Sequence, residues 1–269
     1  MDDIVAAAVV CRSLLGDIAA NLQTLRRWTV AAARRGARIV CFPEMNVSGY
    51  GYNDRVAAVA GSIPGPLTDR LRTLAEEANI TILAGLAERG DDGSLYASHV
   101  VVTPGAAPQV YRKLYLAPPE KAFFSPGADI PLFTVEGFTF GIQLCYDAHF
   151  PELTARMADL GADAIFLPHA SPRGLAVDKH RSWMRHLPAR AYDNSVFVIA
   201  VNQCGDNGNG LSFPGNAVAL DPSGCVVETC LTGEEGLMVM TLEADRLAKV
   251  RGHRMRYFRP NRRPELYRG

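Results

Sequence analysis

The stretch GIQLCYDAHFPE, residues 141–152, runs from an apolar, strand-like segment into a cysteine and then into Phe-Pro-Glu. Proline suits the first turn of a helix, where its missing N–H forfeits no hydrogen bond. The stretch therefore predicts a strand, a sharp bend between Cys145 and Pro151, and a helix opening at the proline. In open α/β sheets the reactive groups gather in the crevice at the carboxyl ends of strands. A cysteine in an apolar run is ordinarily a buried structural thiol. One at a strand end just before a bend is instead placed to face a crevice. To attack a carbonyl it needs to be a thiolate or to have a base beside it.

The same alternation extends in both directions. IVAAAVVCR at the start reads as a buried strand, and Leu15, Ile18, Leu22, Leu25 and Trp28 mark one face of a helix that stops at Gly36. ARIVCFPE is a second buried strand, PLTDRLRTLAEEAN a helix with proline first, and ITILAGLAE, YASHVVVT and QVYRK are strands separated by turn-forming RGDDGS and PGAAP. The second half repeats this plan. GARIVCFPE (36–44) matches GADAIFLPHA (161–170), AEEANITILAGLAE matches ARAYDNSVFVIAVNQ, and VVVTPGAAPQVYRK matches AVALDPSGCVVETC, in the same order. Three matched segments indicate an internal pseudo-repeat, and strands alternating with helices indicate α/β layering. Two such halves packed sheet to sheet, with helices outside, give a four-layer α-β-β-α sandwich. No Ser/Gly-rich or charged linker divides the halves, so residues 1–269 read as a single domain. The basic, aromatic tail at about 251–269 is expected to dock on a partner subunit.

Composition narrows the function. Lys plus Arg equals Asp plus Glu, 28 against 28, which offers no electrostatic reason for a nucleic-acid or anionic-membrane partner. The N-terminus starts acidic and its apolar run is too short for a bilayer, so no signal peptide or membrane segment is read and a cytoplasmic location is expected. The 6 cysteines are scattered, several inside apolar runs, as free thiols of a cytosolic chain are. There is no HExxH and no CxxC pair at ligand spacing, so neither metal nor cofactor is expected. GDNGNG (205–210) leads into LSFPG rather than a helix and is read as a turn-rich loop, not a nucleotide site.

Two further residues share the position of Cys145. Glu44 ends the apolar strand RIVCFPE, where a carboxylate needs a reason to be, and Lys113 ends QVYRK. His149 and His169 are alternative bases, but neither has an evident orienting partner in the sequence.

FPEMNVSGY with Glu44, YRKLYL with Lys113 and LCYDAHFPE with Cys145 together resemble the nitrilase superfamily of carbon–nitrogen hydrolases, in order, texture and spacing and over the length of the chain. The resemblance implies the four-layer fold and a Glu-Lys-Cys triad: Glu44 as general base, Cys145 as nucleophile and Lys113 as oxyanion stabiliser. Many members carry a second active-site glutamate between the lysine and the cysteine, and Glu120 in PPEKAFFSPG matches it. The implied activity is hydrolysis of a non-peptide C–N bond in a small amide or N-carbamoyl compound through a thioester on Cys145, in a homodimer or larger homo-oligomer. Nitrile-hydrolysing members typically show Cys-Trp-Glu where this chain has Cys145-Tyr146-Asp147, which favours amides. A catalytically silent scaffold of the same fold is the reading from another class. The chain departs from common members at His149, where arginine is frequent, and at Asn216, where serine is frequent; both bear on the substrate.

The substrate contacts expected are Tyr50, at the end of the first motif, Tyr146, whose N–H can meet the oxyanion, and His149. The repeat also sets His169 where Glu44 stands in the first half, so HASPRG (169–174) should line the site with His169, Ser171 and Arg173. An arginine there can hold a carboxylate through two parallel hydrogen bonds, which would make the substrate an amide of an amino or dicarboxylic acid.

Overall fold

The computed structural model describes residues 2–267. Its first sheet comprises β1 (Ile4–Val10), β2 (Ile39–Cys41), β3 (Thr81–Arg89), β4 (Leu95–Val102) and β5 (Gln109–Arg112). The second comprises β6 (Phe133–Val135), β7 (Phe138–Ile142), β8 (Ala164–His169), β9 (Phe197–Asn202), β12 (Ala217–Leu220) and β13 (Val226–Cys230); β10 (Cys204–Asp206) and β11 (Ser212–Pro214) form a separate ribbon, and β14 (Gly236–Leu242) returns to the first sheet. The helices are α1 (Ile18–Arg34), α2 (Asp54–Ala58), α3 (Pro66–Ala78), α4 (Pro151–Asp159), α5 (Ala176–Trp183), α6 (Leu187–Asn194) and α7 (Ala244–Arg251).

The sheet orders are β14-β1-β2-β3-β4-β5 and β13-β12-β9-β8-β7-β6. In the first, β1, β2 and β3 are parallel and β4, β5 and β14 join antiparallel. In the second, β7, β8 and β9 are parallel and β12, β13 and β6 join antiparallel. Strand for strand, β7-β8-β9-β12-β13 repeats β1-β2-β3-β4-β5, so the pseudo-repeat and the α-β-β-α sandwich are both present.

Side-chain alternation places the layers. In β1, Ile4, Ala6, Ala8 and Val10 join the cluster shared with the second sheet, while Ala7 and Val9 join the cluster under α1 and α3. A strand buried on both faces carries an unbroken apolar run, which is why IVAAAVV shows no polar alternation. In α1, Asp17 caps the start by accepting from the Ala20 N–H at 3.0 Å, and the buried stripe is Asn21, Leu25, Thr29 and Ala32. Leu15, expected on this helix, precedes it and packs with Met45 and Tyr50 instead. Asn21 takes the buried place because its amide spans two loops, donating to the carbonyls of Leu14 at 2.7 Å and Val47 at 2.9 Å.

The tail from Arg256 to Arg262 lies on its own chain. Buried Arg259 bonds Asn194 at 3.0 Å and pairs with Asp159, Arg262 meets Asp159 at 2.9 Å, and the Phe258 ring packs 5.5 Å from that of Tyr192. The expected docking tail runs on to Arg268 and Gly269, which lie outside the described residues. Among the described residues no helix is long and apolar enough to cross a membrane.

Candidate active site

Strand direction gathers the predicted residues at one edge of the sandwich. β5 is antiparallel to β4, which is antiparallel to β3, so β5 ends at the same side as β2. Glu44 stands three residues past β2, and Lys113 directly follows β5. Parallel β7 and β8 likewise end together, delivering Cys145 and the 169–174 loop. The two edges meet: the Ala170 N–H, from the second sheet, donates to Glu44 Oε2 at 3.0 Å, and Gln203 Nε2 donates to the Glu44 carbonyl at 2.8 Å.

Cys145 does not end a strand, as expected, but opens a short 3-10 turn, Cys145–His149, after β7 has stopped at Ile142. Its φ is +46°, a left-handed conformation that a residue with a Cβ adopts at a cost of order 1–3 kcal/mol and keeps only where its surroundings enforce it. Asp147 supplies the enforcement. Its buried carboxylate accepts from the Leu144 N–H (2.8 Å) within the turn, and from the Tyr111 hydroxyl (2.7 Å) and the Tyr115 N–H (2.8 Å) across on the Lys113 side. The turn that carries Cys145 is thereby tied to the strand and loop that carry Lys113. Pro151 then opens α4 at its first position, as its sequence predicts.

Lys113 lies between two carboxylates. Its Nζ donates to Glu44 Oε1 at 2.7 Å and to Glu120 Oε1 at 2.8 Å, and all three side chains are at most 1% exposed. Glu120 is held in turn by the Tyr50 hydroxyl at 2.8 Å and the Ala117 N–H at 2.7 Å. The loop after Glu44 fits against the sheet because residue 85 is glycine: a Cβ there would come within 2.2 Å of the Met45 nitrogen.

Burial dominates the electrostatics. It raises the Glu44 pKa to about 7 against the lowering influence of Lys113, with Glu120 and Asp147 adding to the rise. Burial alone would lower the Lys113 pKa, but Glu44 and Glu120 outweigh it and hold the ammonium above its usual range. Burial and the neighbouring Glu44 push the Cys145 thiol well up, so it rests protonated, with Lys113 and the Ala170 N–H opposing the shift. A carboxylate near neutrality beside a protonated thiol and a permanent cation can accept a proton and stabilise a developing oxyanion.

The other expected contacts occupy different places. Tyr50 is buried, its hydroxyl spent on Glu120. Tyr146 helps line a cavity of about 460 Å³ with Leu114, Tyr115, Leu116, Phe124 and Phe150, the chain neighbours of Lys113 and Cys145 among them. His149 is exposed, its ring 4.9 Å from that of His186. His169 is buried, its ring 4.6 Å from that of Trp183, with Nε2 unpartnered. Ser171 is pinned to Asn202 by two bonds, N–H to Oδ1 at 2.9 Å and carbonyl from Nδ2 at 3.0 Å. Arg173 is exposed, at φ +68°. Sequence reasoning missed the bracing by Asp147, Tyr111 and Gln203. Only Asp147 carried a signal, an acid two residues past the cysteine in an apolar context.

A model of the carbon–nitrogen hydrolase family matches residues 5–252. A hydrolase encoded in the pqqF 5' region of Pseudomonas protegens is 33% identical over 258 residues, 93% of this chain and 86% of the relative. An (R)-stereoselective amidase of a Pseudomonas species is 32% identical over 239 residues, 88% of this chain and 84% of that one. Among solved structures, the NitN amidase of Nesterenkonia sp. AN1 superposes with a TM-score of 0.84 at 25% identity, covering 98% of both chains. A variant of that amidase shows the product of Michael addition of acrylamide at its active-site cysteine.

Proposed function

The chain belongs to the carbon–nitrogen hydrolase family, and from that premise we propose that it hydrolyses a small amide through a thioester on Cys145. The observation that carries this reading is the buried Lys113 ammonium shared by Glu44 and Glu120, at the same strand-end edge as a cysteine in a left-handed turn.

Glu44 takes the thiol proton as sulfur attacks the amide carbonyl, so the sulfur's charge is quenched in the forming C–S bond. The carbonyl oxygen becomes an oxyanion facing Lys113 Nζ and the Tyr146 N–H. The C–N bond breaks as Glu44 returns the proton to nitrogen, releasing ammonia or an amine. Water then attacks the thioester, again losing its proton to Glu44, and the acid leaves as Cys145 regains its own. Glu120, bonded to Lys113 and Tyr50, holds the ammonium in place throughout. Tyr146 borders the cavity that would take the substrate, and of the 169–174 loop it is the backbone at Ala170 that reaches the Glu44 carboxylate. The assembly is a homodimer or larger, for which exposed Met255 and Leu266 near the tail, 75% and 60% accessible, offer apolar contact.

A panel of small amides, N-carbamoyl compounds and nitriles assayed for ammonia tests the reading, with hydroxylamine added to intercept the thioester. Amide turnover with hydroxamate formation, both abolished in Cys145→Ala and lowered about 10²–10⁴-fold in Glu44→Gln, is the expected result. Undiminished turnover in either variant, or none with any compound in the native chain, overturns it.

A further inference from the structure

Lys179 stands in the first turn of α5, where the helix dipole disfavours a cation. Its ammonium is half-buried and turned onto the 169–174 loop, donating to Ser171 Oγ at 2.7 Å and reaching the Pro172 carbonyl at 3.5 Å. Among the described residues no carboxylate pairs with it; the nearby Asp178 pairs with Arg181 instead. An ammonium has three protons, and two are engaged. The platform beneath is rigid, since Ser171 is fixed to Asn202, whose Nδ2 also reaches Asn216 Oδ1 at 3.4 Å.

The place of this cation matters more than its charge. Ser171 directly follows Ala170, whose N–H touches the Glu44 carboxylate. Consecutive Cα atoms lie about 3.8 Å apart, which with the bonds at Ser171 and Ala170 keeps the ammonium within roughly 10 Å of the Glu44 carboxylate. That is the span of a chain of two to four carbons. Cys145 is an electrostatic neighbour: burial lowers the Lys179 pKa, and a negative charge on the Cys145 sulfur would oppose that lowering. The catalytic cluster holds two carboxylates against one ammonium, a field that repels an acidic substrate unless a second cation borders the site. Arg173, the cation on the loop itself, is exposed and is held through its backbone to Ser212 at 2.9 Å.

We infer that Lys179 anchors a carboxylate of the substrate, so that the compound hydrolysed is a monoamide of a short dicarboxylic acid or an amide of like charge and length. This rests on the amidase reading of the same site, and the test separates the two. Binding is measured by calorimetry in Cys145→Ala, which cannot turn the ligand over, with glutaramate and succinamate against valeramide and butyramide. The acidic amides should bind more tightly. Adding Lys179→Met should weaken the acidic ligands roughly tenfold or more relative to the neutral ones, Lys179→Arg should retain part of the preference, and Arg173→Ala should change it less than Lys179→Met. Equal binding of acidic and neutral amides, a preference that survives Lys179→Met, or a larger effect of Arg173→Ala overturns the inference. Ammonia release from the same four amides by the native chain is read separately. Its absence with the binding preference intact counts against hydrolysis and leaves the anchor standing.

Discussion

Replacing Lys113 by methionine tests the buried cluster most directly. Methionine keeps the apolar stem and removes the charge, leaving Glu44 and Glu120 buried without the cation they share. Removing one partner of a buried ion pair costs about 3–5 kcal/mol, because the remaining charge is uncompensated. For a chain of this size each kcal/mol moves the midpoint by roughly 2–4 °C, so Tm should fall by about 6–20 °C. The pH dependence is the sharper signature. Glu44 already titrates near 7 in the folded chain, raised by burial and lowered by Lys113. Without Lys113 the raising influences stand alone and its pKa climbs. A carboxyl with a folded pKa above its unfolded one binds more protons when folded, so stability declines as pH rises through that window. In the native chain this decline ends near pH 7; in Lys113→Met it continues to higher pH. The Tm gap between the two should therefore be wider at pH 9 than at pH 6, measured by circular-dichroism melts. A gap equal at both pH values, or no loss of stability, would refute a cluster held together by this ammonium.

Other consequences follow from the same geometry. Glu44 must be ionised to act as base, so kcat/KM should rise with pH through about 7, and a pH–rate profile whose acid limb lies below pH 5 contradicts that role. Asp147→Asn keeps the shape but turns an NH₂ towards a donor that the carboxylate now satisfies; it should cost about 1–3 kcal/mol in a thermal melt and lower kcat, and a neutral result would dismiss the bracing. Iodoacetamide should modify both Cys145 and the exposed Cys225, and Glu44→Gln should slow the Cys145 adduct alone in a peptide-mapped time course.

How far the sequence carried depends on the range of each interaction. The layering was legible because a strand buried on both faces must be an unbroken apolar run, and the repeat of strand, proline and strand recurs in the same order in both halves. Glu44, Lys113 and Cys145 stood out because each polar group follows such a run, and their convergence then depends only on strand direction. Lys179 was illegible: within AVDKHRSW it is one more charged residue of a short helix, and only the fold returns that helix over Ser171. The left-handed turn at Cys145 was hidden for a similar reason. Nothing local demands it, and the bonds that hold it run to Tyr111 and Tyr115, more than thirty residues earlier. His169 misled in part. The repeat equates it with Glu44, yet what reaches the Glu44 carboxylate is the backbone of the next residue.

That last contact shows why the pseudo-repeat does not yield two sites. Each half brings a strand to the same edge, but the first ends in a carboxylate and the second in a backbone donor. The halves are thus complementary, with Ala170 donating to Glu44, Gln203 to the Glu44 carbonyl, and Tyr111 and Tyr115 to Asp147. All four bonds cross between the sheets at the catalytic edge. Glu44 and Lys113 belong to one half and Cys145 to the other, so their separation is set by sheet packing rather than by either chain segment. A packed core resists small displacements, and misplacement by about 1 Å can cost on the order of 10²-fold in rate. The apolar interior between the sheets, where Ala6 and Ala8 share one cluster with Phe140 and Phe166, in this sense sets how far Glu44 stands from Cys145. Enlarging those alanines would move the base away from the thiol without touching either.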